Sequence, residues 1–289
     1  MEGTPGSRPL PGHIAAALAG AGGAADSAGQ PWTGRSLAGE DARIHNFEDD
    51  DGTADAGYLA AVSAMVSGIG DEEDIVKALA HARVFVPIVA QLGEEGHDAA
   101  GLQADKQADM ALVTLKAPDG RTALPVFSSA ESLHAWHQEA RPVAVYAARA
   151  ALSAAAEGAE LMVMDPGSEV TIVVRRPAVW ALAQQLPWSP SYADTDVAEA
   201  VAATASDVPQ IRRIELHRGG GVGALTSRGL QLKGGGAGPE LRVVLYLVDG
   251  LDAAGVQEVV TALNGAWARN ELLAERVDSI EVKLRRAVE

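Results

Sequence analysis

The stretch that most constrains this chain is Met110 to Glu131, MALVTLKAPDGRTALPVFSSAE, where strand, turn, strand and helix start follow one another with every local signal in agreement. Met110 to Lys116 sets Ala111, Val113 and Leu115 on one face and Met110, Leu112 and Thr114 on the other, the pattern of a strand buried on both sides. In Ala117-Pro118-Asp119-Gly120, Pro118 presets φ for the second turn position, Asp119 suits the third, and Gly120 can take the positive φ that closes a hairpin loop. The return strand, Thr122 to Phe127, contains Pro125, which cannot donate to a ladder and so marks a sheet edge or a bulge. Ser128-Ser129-Ala130-Glu131 matches a capping box, with Ser128 at the cap, and places a helix start at Ser129 or Ala130.

The rest of the chain can be placed around this unit. Residues 1–57, rich in Gly, Ala, Pro and Asp, read as a mobile leader with a short helix at His13 to Leu18 and one large ring, Trp32, set near Arg35. Two helices, from Tyr58 and from Asp71, precede a buried strand at Val84 to Ala90, and Gln91 to Ala108 reads as a polar loop. After the hairpin come a strand at Val143 to Tyr146, an alanine-rich helix ending at Gly158, and strands at Leu161 to Met164 and Val170 to Val174. Pro177 suits the first position of a helix reaching Gln185. Leu186 to Ala193, LPWSPSYA, reads as a linker, dividing a domain at 58–186 from a smaller one at 187–289. The second domain shows the order αββαβ, a small antiparallel sheet covered by helices, which resembles part of a ferredoxin-like unit. The fold class expected is therefore α+β, with two mixed α/β domains.

Composition narrows the function classes. There is no cysteine, which excludes disulfides, thiolate metal sites and cysteine nucleophiles and suits a cytoplasmic protein. The formal charge of −16 opposes attraction to phosphate backbones and anionic membranes, so neither nucleic acid nor a membrane is an expected partner. No metal, cofactor or catalytic constellation is expected either, since no GxSxG elbow or HExxH motif is present. Glu131, His134 and His137 lie three apart on one helix, but the usual zinc pair is four apart, and a solvated face is the favoured reading. Gly219-Gly220-Gly221-Val222-Gly223 invites a phosphate-loop reading, yet it lacks a Walker lysine, and Gly234 to Gly238 repeats its composition. Both runs read as flexible connections. Arg175-Arg176 and Arg285-Arg286 read as solvated ends of elements.

Lys106 to Trp136, KQADMALVTLKAPDGRTALPVFSSAESLHAW, and Arg141 to Gly167, RPVAVYAARAALSAAAEGAELMVMDPG, resemble the N-terminal domain of the SseB family, the enhanced serine sensitivity proteins, in an actinobacterial form. The segments GHIAAALAGAGGAADSAGQPWTGR and FEDDDGTAD resemble the leader of such members. The resemblance implies a cytoplasmic α/β protein whose molecular function is not established, and it carries a weak link to translation-associated partners. A sulfurtransferase activity, sometimes linked to the family by name, needs a nucleophilic cysteine that this chain lacks. The expected function is that of a non-catalytic interaction or regulatory protein with an unidentified protein partner, Trp32 and Arg35 being its candidate binding residues. The alternative is a small-molecule sensor that takes an amino acid between the two domains, and an enzyme without recognised motifs stands third.

Overall fold

The computed structural model describes Phe47, residues 50–91 and residues 109–287, and those of them from residue 51 onward belong to one compact unit. Trp32, Arg35, the His13–Leu18 helix and most of the leader and of the polar loop before residue 109 lie outside the described residues.

Short polar caps start the helices. The Asp55 carboxylate accepts the Tyr58 amide at the head of α1 (Ala56–Val66), and Asp71 with Asp74 closes a capping box on α2 (Glu72–Leu79). Strands β1 (Arg83–Gln91), β2 (Asp109–Leu112) and β5 (Arg141–Tyr146) form an antiparallel sheet in the order β2-β1-β5. Strands β3 (Leu115–Lys116), β4 (Thr122–Val126), β6 (Leu161–Met164) and β7 (Ile172–Val174) form a second sheet in that order. In it β4 runs parallel to β6, with α3 (Ala130–Trp136) and α4 (Ala147–Ala156) between them in sequence.

The expected hairpin is present, with Gly120 at φ 86°, but its first strand is divided: β2 pairs with β1, and only β3 pairs with β4. Two prolines account for the division. Phe85 and Phe127 exchange backbone hydrogen bonds of 2.7 and 2.8 Å, and continuing that antiparallel register sets Pro87 opposite Pro125. Neither can donate, so the β1–β4 ladder stops there, and the stretch from residue 109 to 116 serves β1 first and β4 afterwards. The helix cap also moves by one residue. Ser129, not Ser128, accepts the Ser132 amide, while the Ser128 amide donates to Asp165 Oδ1 at 2.7 Å.

Beyond α5 (Arg176–Gln184) and α6 (Thr195–Ser206), strands β8 (Ile211–Arg218) and β11 (Leu241–Leu247) pair antiparallel. The hairpin β9 (Gly223–Leu225) and β10 (Gln231–Gly235) stands between them in sequence. Helices α7 (Ala253–Arg269) and α8 (Glu271–Arg276) then return the chain to β12 (Ile280–Arg286), which runs parallel to β11. The expected all-antiparallel sheet is thereby corrected, because two helices in series carry the chain back past the sheet, as a parallel crossover requires.

Alanines of α4 bury Ala147, Ala150, Ala151 and Ala154 against Leu124, Met162 and Met164 in one core, whose small contacts match the aromatic fraction of 4%. Val243, Leu245, Leu263 and Trp267 anchor another under β11, and Phe85, Phe127 and Leu133 a smaller one. Leu232 of β10 belongs to the first core, so the hairpin from the later half packs on the earlier half. The fold is α+β. Among the described residues, no helix is long and apolar enough to cross a membrane.

Candidate functional site

The corner between β7 and α5 reads Arg175-Arg176-Pro177. Extended backbone at Arg175, φ −82° and ψ 160°, is followed by helix, with Pro177 in the first turn where its missing N–H goes unused. Neither arginine is solvated, contrary to the reading as a free end of an element. The Arg175 side chain is 1% exposed, and its guanidinium donates to the carbonyls of Gly238 (2.5 Å), Gly236 (2.7 Å) and Gly221 (3.3 Å). It also faces Asp278 Oδ2 at 3.4 Å, while Arg121 reaches Asp278 Oδ1 at 2.8 Å from the other side. Arg176 donates to Ala274 O at 2.9 Å and Val277 O at 2.7 Å, carbonyls at the C-terminal end of α8, and lies 4.6 Å over the Trp180 ring. A cation there satisfies the carbonyls that a helix end leaves unpaired. Nearby, the buried Glu240 carboxylate accepts the amides of Ser191 (3.1 Å) and Asp278 (2.9 Å), and burial raises its pKa above the ordinary 4.5.

The two glycine runs turn out to be one structure. Gly221 and Gly238 lie side by side, as do Val222 and Gly236, joined by N–H···O bonds of 3.1 and 2.8 Å, so the runs zip together where the β8–β11 ribbon bends into the β9–β10 hairpin. A Cβ on Gly221 would lie 2.1 Å from Gly238 Cα, which explains why only glycine fits. These are not flexible connections. Their carbonyls converge on Arg175, the polarity opposite to that of a phosphate loop, and the Gly220 amide already donates to Glu281 Oε1 at 2.6 Å.

Beside this junction opens a cavity of about 390 Å³ between α5, the segment 186–195 and the end of α8. Its lining includes Trp180, Gln184 and Trp188 together with Asp194, Glu275 and Arg276. Asp194 caps α6 through the Asp196 and Val197 amides and also holds Arg276 at 3.1 Å, and Asp196 holds the same guanidinium at 2.7 Å. Those carboxylates raise the Arg276 pKa, the Asp196 hydrogen bond most. The volume falls within the range of small-ligand sites, roughly 300 to 1,000 Å³. Indole rings beside carboxylates and a fixed guanidinium can hold an ammonium and a carboxylate together.

The residues singled out in sequence are not gathered here. Trp32 and Arg35 lie outside the described residues. Glu131 and His134 are exposed on α3, and His137 packs its ring 5.8 Å from Trp136. Among the described residues, no group of three His, Asp or Glu side chains could hold a metal ion. Sequence reasoning misread Arg175 and Arg176 as solvated and passed over Trp180 and Trp188. The available signal was two arginines directly after a β-branched strand, followed by a helix and linker that carry two of the five tryptophans.

The family described as SseB protein N-terminal domain matches residues 58–181, from the head of α1 into α5, and so includes Arg175, Arg176 and Trp180. No curated protein and no solved structure matches the chain. The chain thus carries an SseB N-terminal domain over residues 58–181, and the strand-to-helix corner at the end of that domain supplies both arginines of the junction and part of the cavity lining.

Proposed function

We propose that this protein is a non-catalytic regulatory module that binds a small metabolite of amino-acid or amine type in the cavity between α5 and α8. The cavity carries the reading: two tryptophans line it together with Asp194, Glu275 and Arg276. Two carboxylates against one guanidinium favour a ligand with an ammonium group, which the tryptophan faces also attract. The walls belong to parts of the chain on either side of residue 187, the proposed domain boundary. A ligand there touches both and can report its presence through the Arg176 contacts that join α5 to α8. The absence of cysteine supports the cytoplasmic site of action that goes with this role.

Titration calorimetry of the full chain against the common amino acids and simple amines tests it. The expected result is saturable micromolar binding for at least one compound, weakened at least tenfold by Trp188→Ala and by Arg276→Ala. Absence of saturable heat with every compound, from protein that unfolds cooperatively, overturns the metabolite reading.

A further inference from the structure

The sheet β12-β11-β8 has a local positive charge that the chain's total conceals. Its three strands contain seven Lys and Arg against two Glu, on a chain of net charge −16. Both acids are already engaged: Glu215 with Arg213 (2.7 Å) and the Tyr246 hydroxyl (3.0 Å), Glu281 with Arg242 (2.8 Å) and Lys283 (3.6 Å). Each carboxyl is held below its ordinary range, Glu215 chiefly by the His217 hydrogen bond and Glu281 chiefly by the Gly220 amide. Arg285 and Arg286 have no ion-pair partner among the described residues, and Lys283 through Arg286 are all exposed. These side chains sit on β12, the edge of its sheet, and Leu284 between them is 45% exposed.

We infer that the edge of β12, which pairs with β11 alone among the described residues, docks an extended, carboxylate-rich segment of a partner protein as an added strand. An edge strand offers unpaired N–H and C=O groups along its length, which supply main-chain bonds to any extended peptide. Side chains two apart on a strand share a face about 6.5 to 7 Å apart. Lys283 and Arg285 therefore meet carboxylates at alternate positions of the incoming segment, while Leu284 and Arg286 meet an apolar and an acidic side chain on the other face. Charge decides against a long polyanion: only the local strands are felt within a Debye length of about 8 Å, and the acidic remainder of the surface repels whatever extends beyond. A short acidic segment stays inside the attractive region.

Fluorescence anisotropy on the full chain at physiological ionic strength tests this with three labelled probes. They are the hexapeptide Glu-Asp-Leu-Asp-Glu-Asp, its neutral counterpart Gln-Asn-Leu-Asn-Gln-Asn, and a decauridine RNA. The acidic peptide is expected to bind saturably, the neutral one not, and the R285E/R286E double variant to weaken the acidic peptide at least tenfold with an unchanged Tm. Amide exchange of β12 should slow when the acidic peptide is bound. Binding of the RNA without the peptide overturns the inference in favour of a nucleic-acid surface. Binding of neither overturns it too and leaves the charges as guards of an edge strand, and peptide binding that survives the double variant overturns the assignment to β12.

Discussion

Arg175 and Asp278, separated by more than a hundred residues of sequence, meet at 3.4 Å with both side chains 1% exposed. Arg121 completes the neutralisation of Asp278, and three glycine carbonyls accept from the two terminal nitrogens of Arg175, while its buried Nε has no hydrogen-bond partner among the described residues. Removing Arg175 leaves Asp278 with Arg121 alone and takes the charged donor from three glycine carbonyls, and breaking a buried pair of this kind typically costs about 3 to 5 kcal/mol. Arg175→Met is therefore expected to lower unfolding stability by that amount in urea titration. Arg175→Lys should recover less than half of it, because one ammonium cannot span carbonyls that a planar fork reaches.

The glycine zipper should be equally intolerant. With a Cβ on Gly221 placed 2.1 Å from the Gly238 Cα, Gly221→Ala must push two backbones apart, and no side chain can yield instead. A loss of about 3 kcal/mol or more is expected. It should appear as a lower urea midpoint and as faster amide exchange in residues 219–223 and 234–238.

Arg176→Ala removes two charge-assisted hydrogen bonds between α5 and the end of α8 together with the stack on Trp180. About 2 to 3 kcal/mol of stability should go with them. Tryptophan emission should shift to longer wavelength as Trp180, only 6% exposed in the native fold, becomes wetter.

Asp165 governs a pH dependence. Burial raises its pKa above the ordinary 3.8, although the Ser128 amide at 2.7 Å and the Tyr58 hydroxyl at 3.3 Å act in the opposite sense. A carboxyl with a folded pKa above its unfolded one adds stability that is complete below the unfolded value and is lost as pH rises through the folded one. Tm should therefore contain a component that falls as pH rises above 3.8. Asp165→Asn should remove that component: its amide keeps the Ser128 contact, the Tyr58 hydroxyl can turn to accept, and asparagine tolerates the φ of 48°. A Tm-against-pH profile of both proteins checks it, and parallel profiles would assign the dependence to other groups.

Much of the local structure was legible because its causes are local. Pro118, Asp119 and Gly120 specify a turn whichever strands they join, Pro177 suits a helix start, and Gly158 takes φ 66° after a helix that could not continue through it. The arginine pair was misread for the converse reason. Nothing within several residues of Arg175 distinguishes a solvated guanidinium from one buried against carbonyls of Gly221, Gly236 and Gly238. The placement of the two glycine runs on either side of the Ser227-Arg228-Gly229 turn was a usable sign that they pair, and it carried more information than their resemblance to a phosphate loop.

Sequence by itself therefore determined the elements, the turns, the alanine-built core and the absence of thiol chemistry, since these depend on periodicity, φ preference and composition. Tertiary structure decided the rest. Opposed prolines at 87 and 125 become a sheet break only when β1 and β4 lie side by side, and β12 becomes parallel only once α7 and α8 have crossed the sheet. A guanidinium's energy depends on which carbonyls and carboxylates surround it, and those come from chain segments that only packing brings together.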